Sequence, residues 1–88
     1  MKIKPIERNG ITIGYLMESP KTGDMYCFYT KESGEKQYWT FNGNHNKPTF
    51  RPSMLNKETG EHFFVTNGKV TYLTINGDEE IMNMIDID

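Results

Sequence analysis

The chain reads as one small, mainly β domain spanning residues 1–88, and three features of its sequence predict this. Turn signals recur at short intervals, at Asn9-Gly10, Thr22-Gly23-Asp24, Ser33-Gly34, Asn42-Gly43, Thr59-Gly60, Asn67-Gly68 and Asn76-Gly77. Gly and Asn accept the positive φ that tight hairpin turns require, so this punctuation reads as a series of β-hairpins. The runs between the turns are short and rich in β-branched and aromatic residues, which suit a pleated, half-buried surface. A chain of 88 residues also has room for only one core, because it buries only roughly two thirds of its unfolded surface.

Taken in order, the strand candidates are Lys2 to Glu7, Ile11 to Met17, Met25 to Thr30, Gln37 to Phe41, Thr49 to Leu55, His62 to Thr66 and Lys69 to Ile75. They predict a small antiparallel sheet or meander of about six or seven strands. The hairpin around Asn67-Gly68 is the firmest of these, with His62-Phe63-Phe64-Val65-Thr66 running into Lys69-Val70-Thr71-Tyr72-Leu73-Thr74-Ile75 across two loop residues. Phe63 and Val65 share one face, as do Val70 and Tyr72. The tail over residues 78–87 supports two readings: Asp78 would cap a short helix carrying Ile81, Met84 and Ile85, or Ile81, Asn83, Ile85 and Ile87 would alternate as a strand. The strand reading is preferred.

Apolar residues make up 35 % of the chain, below the roughly 45–50 % usual in globular domains, so the core must rely on the eleven aromatic residues from Tyr15 to Tyr72. Cys27 is the only cysteine, which precludes an intramolecular disulfide and fits a reducing compartment. The start, Met1-Lys2-Ile3-Lys4-Pro5, lacks the apolar stretch of a secretion signal, and no apolar run approaches the roughly 20 residues of a membrane span. A cytoplasmic location and no membrane partner are expected. Residues 1–57 hold nine basic and five acidic side chains, whereas residues 58–88 hold one basic and seven acidic. The overall charge of −2 makes a nucleic-acid partner unexpected.

Residues that carry chemistry are sparse. Cys27, His45 and His62 are the usual zinc donors, but they form no local chelating pair such as Cys-x2-Cys or His-x3-His, so no metal or other cofactor is expected. The settings Tyr26-Cys27-Phe28 and Arg51-Pro52-Ser53-Met54 show neither a strand-to-helix nucleophile elbow nor a helix start that would activate a thiol. Glu79 and Glu80 are adjacent and would point to opposite faces of an extended chain. On these grounds the sequence predicts no catalytic residue.

The densest unusual stretch runs from Trp39 to Ser53, where Pro48 and Pro52 remove backbone donors and imply an irregular strand at a sheet edge or a crossing loop. Asn42, Asn44, His45 and Asn46 can hydrogen-bond that backbone and make a rigid loop. The functional reading is a recognition surface formed by Trp39, Asn42, Asn44, His45, Lys47, Phe50 and Arg51, with Trp39 or Phe50 as the anchor and Arg51 as the charged contact.

Three motifs, Trp39-Thr40-Phe41-Asn42-Gly43-Asn44, Lys47-Pro48-Thr49-Phe50-Arg51-Pro52-Ser53 and His62-Phe63-Phe64-Val65, followed by Asn67-Gly68-Lys69-Val70, resemble a family of small, functionally unassigned proteins found widely in bacteriophage and prophage genomes. The resemblance covers roughly residues 37–88. It implies a cysteine before the histidine matching His62 and a Cys-x-His pair further on, where this chain has Glu61, Asn76 and Asp78, so any metal held by relatives is lost or replaced here. It also implies a phage origin. Together with the missing catalytic set, this leads to the expectation of a non-enzymatic accessory protein that binds a host protein in metabolism or antiviral defence. The alternatives are a metal-dependent or nucleic-acid-associated factor and a virion or oligomeric structural protein, with homo-oligomers formed through edge strands.

Overall fold

The computed structural model describes residues 1–87, which form eight β-strands and one 3₁₀ turn at Lys31–Ser33. The strands are β1 (Lys4–Arg8), β2 (Ile11–Glu18), β3 (Met25–Tyr29), β4 (Thr40–Phe41), β5 (Phe50–Leu55), β6 (His62–Thr66), β7 (Lys69–Leu73) and β8 (Glu79–Asn83). They build two antiparallel sheets, β1-β2-β3 and β4-β5-β6-β7-β8. The all-β class therefore holds, but the single sheet expected from the turn pattern is divided in two, and the tail supplies an eighth strand rather than a helix. The strand ends at Asn83, and its inward residue is Met82; Ile81, which opens the expected alternation of Ile81, Asn83, Ile85 and Ile87, faces out instead.

The core lies between the sheets. Ile3, Met17, Tyr26 and Phe28 come from the three-stranded side and meet Phe50, Phe63, Val65, Val70, Tyr72 and Met84. Aromatic rings carry this contact, as the low apolar content required: Phe28 stacks on Phe50 with centroids 4.3 Å apart and an interplanar angle of 5°. Trp39 meets Phe28 edge to face at 5.6 Å, which fixes the indole beside β5.

The β6–β7 hairpin follows the sequence reading closely. Phe63 pairs with Tyr72 and Val65 with Val70, all four buried, so His62, Phe64 and Thr71 lie on the opposite face of the sheet. Both turn residues have positive φ, 49° at Asn67 and 77° at Gly68. A Cβ at Gly68 would also sit 3.3 Å from Asn46 O and Lys47 Cα, whereas at Gly34 it would meet open space. Gly34→Ala is expected to cost about 1 kcal/mol, from its φ of 80° alone, and Gly68→Ala clearly more. Urea midpoints of the two variants check this; equal shifts would show that the crowding at Gly68 is relieved without cost.

The β5–β6 ladder is irregular, and this irregularity shapes the surface. Phe50 pairs with Val65 and Met54 with Phe63, so four steps on β5 oppose two on β6. The surplus forms a bulge through Arg51, Pro52 and Ser53. Pro52 cannot donate to a ladder, which places the break where the sequence anticipated an irregular strand.

Candidate active site

Ser53, at the end of the bulge, faces the first residue of β6. Ser53 Oγ lies 2.9 Å from His62 Nε2, and both side chains are half-buried. Ser53 lies two residues before Leu55 and shares its face of β5, and Leu55 pairs with His62, so the serine is the diagonal neighbour of the imidazole on that face. With the His62 proton on Nδ1, Nε2 accepts the serine O–H, the arrangement in which an imidazole activates a hydroxyl as a nucleophile. The carbonyl of Ser53 accepts a hydrogen bond from Trp39 Nε1–H at 3.3 Å, tying the backbone of the serine to the aromatic core.

A groove of about 680 Å³ opens beside this pair. One wall is Lys36, Gln37, Tyr38 and Trp39; the other is Pro52 to Leu55, with Lys57 at its end. On the far side of His62 a smaller cleft runs past Glu61, Tyr72 and Leu73.

Glu61, next to His62 in sequence, is not its acid partner. Neighbouring strand residues point to opposite faces, and Glu61 turns inward, 9 % exposed, between the sheets. There its carboxylate accepts hydrogen bonds from Tyr26 O–H and from Ser19 Oγ–H at 2.7 Å, with Thr22 Oγ1 at 3.3 Å. Ser19 Oγ in turn lies 2.6 Å from Tyr72 Oη, so with the serine proton spent on Glu61 the tyrosine donates. Burial pushes the Tyr26 and Tyr72 hydroxyls above their ordinary pKa, with the Glu61 hydrogen bond adding to the rise at Tyr26, so both remain donors. This network bridges the two sheets: Ser19 follows β2, Tyr26 is in β3, Glu61 precedes β6 and Tyr72 is in β7.

The residues proposed from sequence as a recognition surface separate into distinct roles. Phe50 is fully buried and belongs to the core, so it cannot serve as a surface anchor. Asn42 and Asn44 spend their amides on their own loop: Asn42 Oδ1 accepts from Asn44 N–H and Thr49 N–H, and Asn44 Oδ1 accepts from Asn46 N–H and Lys47 N–H. His45 packs on the edges of Tyr15 and Phe41 at 5.6 and 5.5 Å. Lys47 is exposed. Arg51 donates to Phe50 O and Val65 O, both at 2.8 Å, and to Thr66 Oγ1 at 2.6 Å, and lies over the Phe64 ring. Of the seven, only Trp39 lines the groove beside Ser53. Ser53 and His62 were missed because sequence reading looked for a strand-to-helix elbow. The usable signal was Pro52 interrupting a strand immediately before a serine, with a histidine opening the next strand.

Cys27 is half-buried on β3, opposite Leu16, and burial raises its thiol pKa, so it stays protonated near neutrality. Cys27→Ser is expected to leave reactivity at Ser53 unchanged, and iodoacetamide is expected not to inhibit. Inhibition by iodoacetamide that Cys27→Ser abolishes would show a working thiol. Among the described residues no group of three or more His, Cys, Asp or Glu is arranged to hold a metal ion. No helix among the described residues is long and apolar enough to cross a membrane.

A hydroxyl hydrogen-bonded to an imidazole, with the serine lining a groove on an all-β scaffold, is the kind of arrangement that can supply a nucleophile and its base. A family model described as "Bacterial ubiquitination-like system serine protease (BubE)" matches residues 15–73, two thirds of the chain and a span that includes both Ser53 and His62. The chain belongs to this family. No curated protein and no solved structure matches it. The family match overturns the expectation of a non-enzymatic phage accessory protein that binds a host protein or inhibits host defence, because the family is described as a serine protease.

Proposed function

We propose that this chain is a serine peptidase in which Ser53 is the nucleophile and His62 the general base. The observation that carries the reading is the 2.9 Å contact between Ser53 Oγ and His62 Nε2. The description of the family as a protease of a bacterial ubiquitination-like system supports an amide bond in a protein as the substrate.

The chemistry follows from the pair. Ser53 Oγ attacks the scissile carbonyl while its proton passes to His62 Nε2, forming a tetrahedral intermediate. The C–N bond then breaks, the imidazolium returns the proton to the departing amine, and Ser53 is left as an ester. Water enters, gives a proton to His62 and attacks the ester; the acid product leaves and the proton returns to Ser53 Oγ. His62 is spared from competing for the buried network because it projects from the opposite face of β6. Trp39, bonded to the Ser53 carbonyl, is a positioning residue that holds the bulge in place.

The test is labelling with a small alkyl fluorophosphonate, followed by peptide mapping. A single adduct on Ser53, formed far more slowly in His62→Ala, is the expected result. Labelling that persists in Ser53→Ala, or an unlabelled wild type, would overturn the assignment.

A further inference from the structure

The edge of β5 that carries Ser53 is only partly covered. β4 pairs with it at Thr40–Arg51 and Phe41–Phe50 and goes no further. Before β4 the chain diverges through Lys36 to Trp39, leaving the groove between that segment and Pro52 to Leu55. Pro52 has no N–H and the Ser53 carbonyl is taken by Trp39, so the N–H and C=O of Leu55 decide how this edge can pair.

The ladder fixes where those groups point. Asn56 N–H donates to Glu61 O at 2.8 Å, one bond of a hydrogen-bonded pair, while Asn56 O closes the turn by accepting from Gly60 N–H at 2.7 Å. Such pairs alternate with non-hydrogen-bonded ones in an antiparallel ladder, and the next pair is Leu55 with His62. The N–H and C=O of Leu55 are therefore directed away from β6, into the groove. The Leu55 side chain shares the His62 face and is 53 % exposed.

From this free edge we infer that the substrate binds as an extended segment that adds to β5 as an antiparallel strand, with acidic residues at its N-terminal end. This rests on the assignment of Ser53 as the nucleophile and specifies the substrate for that site. Every neighbour of β5 is already antiparallel, and this pairing is the stronger of the two. In that direction, a residue whose carbonyl meets Ser53 is followed, two residues toward the substrate N-terminus, by one opposite Leu55. That third residue before the scissile bond forms two main-chain hydrogen bonds with Leu55, while the N–H of the second faces away. Further toward the substrate N-terminus the segment reaches Lys57, with Lys36 on the facing wall. Neither lysine has a carboxylate within salt-bridge distance among the described residues. Among the described residues no acidic side chain lines this groove, so the complementary occupant is a carboxylate.

The probe is an N-acetylated pentapeptide diphenyl phosphonate with two aspartates at its N-terminal end, compared with the bare phosphonate on the full chain. Labelling of Ser53 is expected to be faster with the peptide attached. N-methylation at the third residue from phosphorus should slow labelling by about tenfold, whereas N-methylation at the second should change it by less than about twofold. Replacing the aspartates by lysines should also slow it by about tenfold, a difference that disappears in Lys36→Gln/Lys57→Gln. If the bare phosphonate fails to label Ser53, the peptidase assignment falls and this inference with it. If Ser53 is labelled but N-methylation has the same effect at both positions, strand addition is wrong and the nucleophile stands. Equal rates for the aspartate and lysine probes would remove the acidic preference.

Discussion

Ser53→Ala is expected to lower kcat/KM for amide hydrolysis on the order of 10⁴-fold or more, because no other hydroxyl lies on His62 Nε2. His62→Ala should fall comparably, since the serine hydroxyl then has no base to take its proton. The double variant should be no worse than either single one, as groups that act as a unit are strongly non-additive. Folding should barely respond: Ser53 is half-buried on a bulge, and its one side-chain hydrogen bond is worth about 1 kcal/mol. Parallel kinetics and thermal melts separate the two effects. Retained hydrolysis in a folded Ser53→Ala protein would place the chemistry elsewhere.

Glu61→Ala, at a buried carboxylate between the sheets, should cost about 3 kcal/mol or more of stability. It removes the acceptor shared by Tyr26 and Ser19 and strands their hydroxyls between the sheets. The consequence spreads, because Ser19 also receives Tyr72 and the backbone N–H of Thr22. Glu61→Gln keeps one acceptor oxygen and should cost less. Tyr26→Phe in the Glu61→Ala background should cost much less than in the parent, since the lost donor no longer has a carboxylate to meet. Denaturant titrations of the four proteins of this cycle give the coupling directly; additive losses would mean that the carboxylate and phenol act independently. At temperatures where all are folded, labelling of Ser53 should change little, because Glu61 and His62 occupy opposite faces of β6.

These two expectations concern adjacent residues with unrelated tasks, and the sequence shows why only part of this was legible. The Asn67-Gly68 hairpin could be read because everything that specifies it is local: a turn that needs two positive φ values and alternating apolar residues on either side. The tail strand was legible in part: the extended segment was expected, but its inward face belongs to Met82 and not to Ile81. The division into two sheets was not, because it depends on which strand edges meet across the core, where Phe28 stacks on Phe50 from residues far apart in the chain. The Ser53–His62 pair was lost for a geometric reason. The contact exists only once β5 has paired with β6 in the register that joins Leu55 to His62, and nothing local in the sequence states that pairing. Pro52 marks the irregularity but not its size. The residues drawn from the same stretch as a recognition surface were conspicuous for the opposite reason: Asn42, Asn44 and Arg51 are polar groups already committed to holding the loop and the β5–β6 edge.

Rapid mixing of the protein with p-nitrophenyl butyrate probes for a covalent intermediate on Ser53. A burst of nitrophenolate approaching stoichiometry with the chain is expected, together with an acid-trapped butyryl ester mapped to Ser53 and absent from His62→Ala. Linear release without a protein-bound acyl group, or an acyl group on any residue other than Ser53, would contradict Ser53 as the nucleophile.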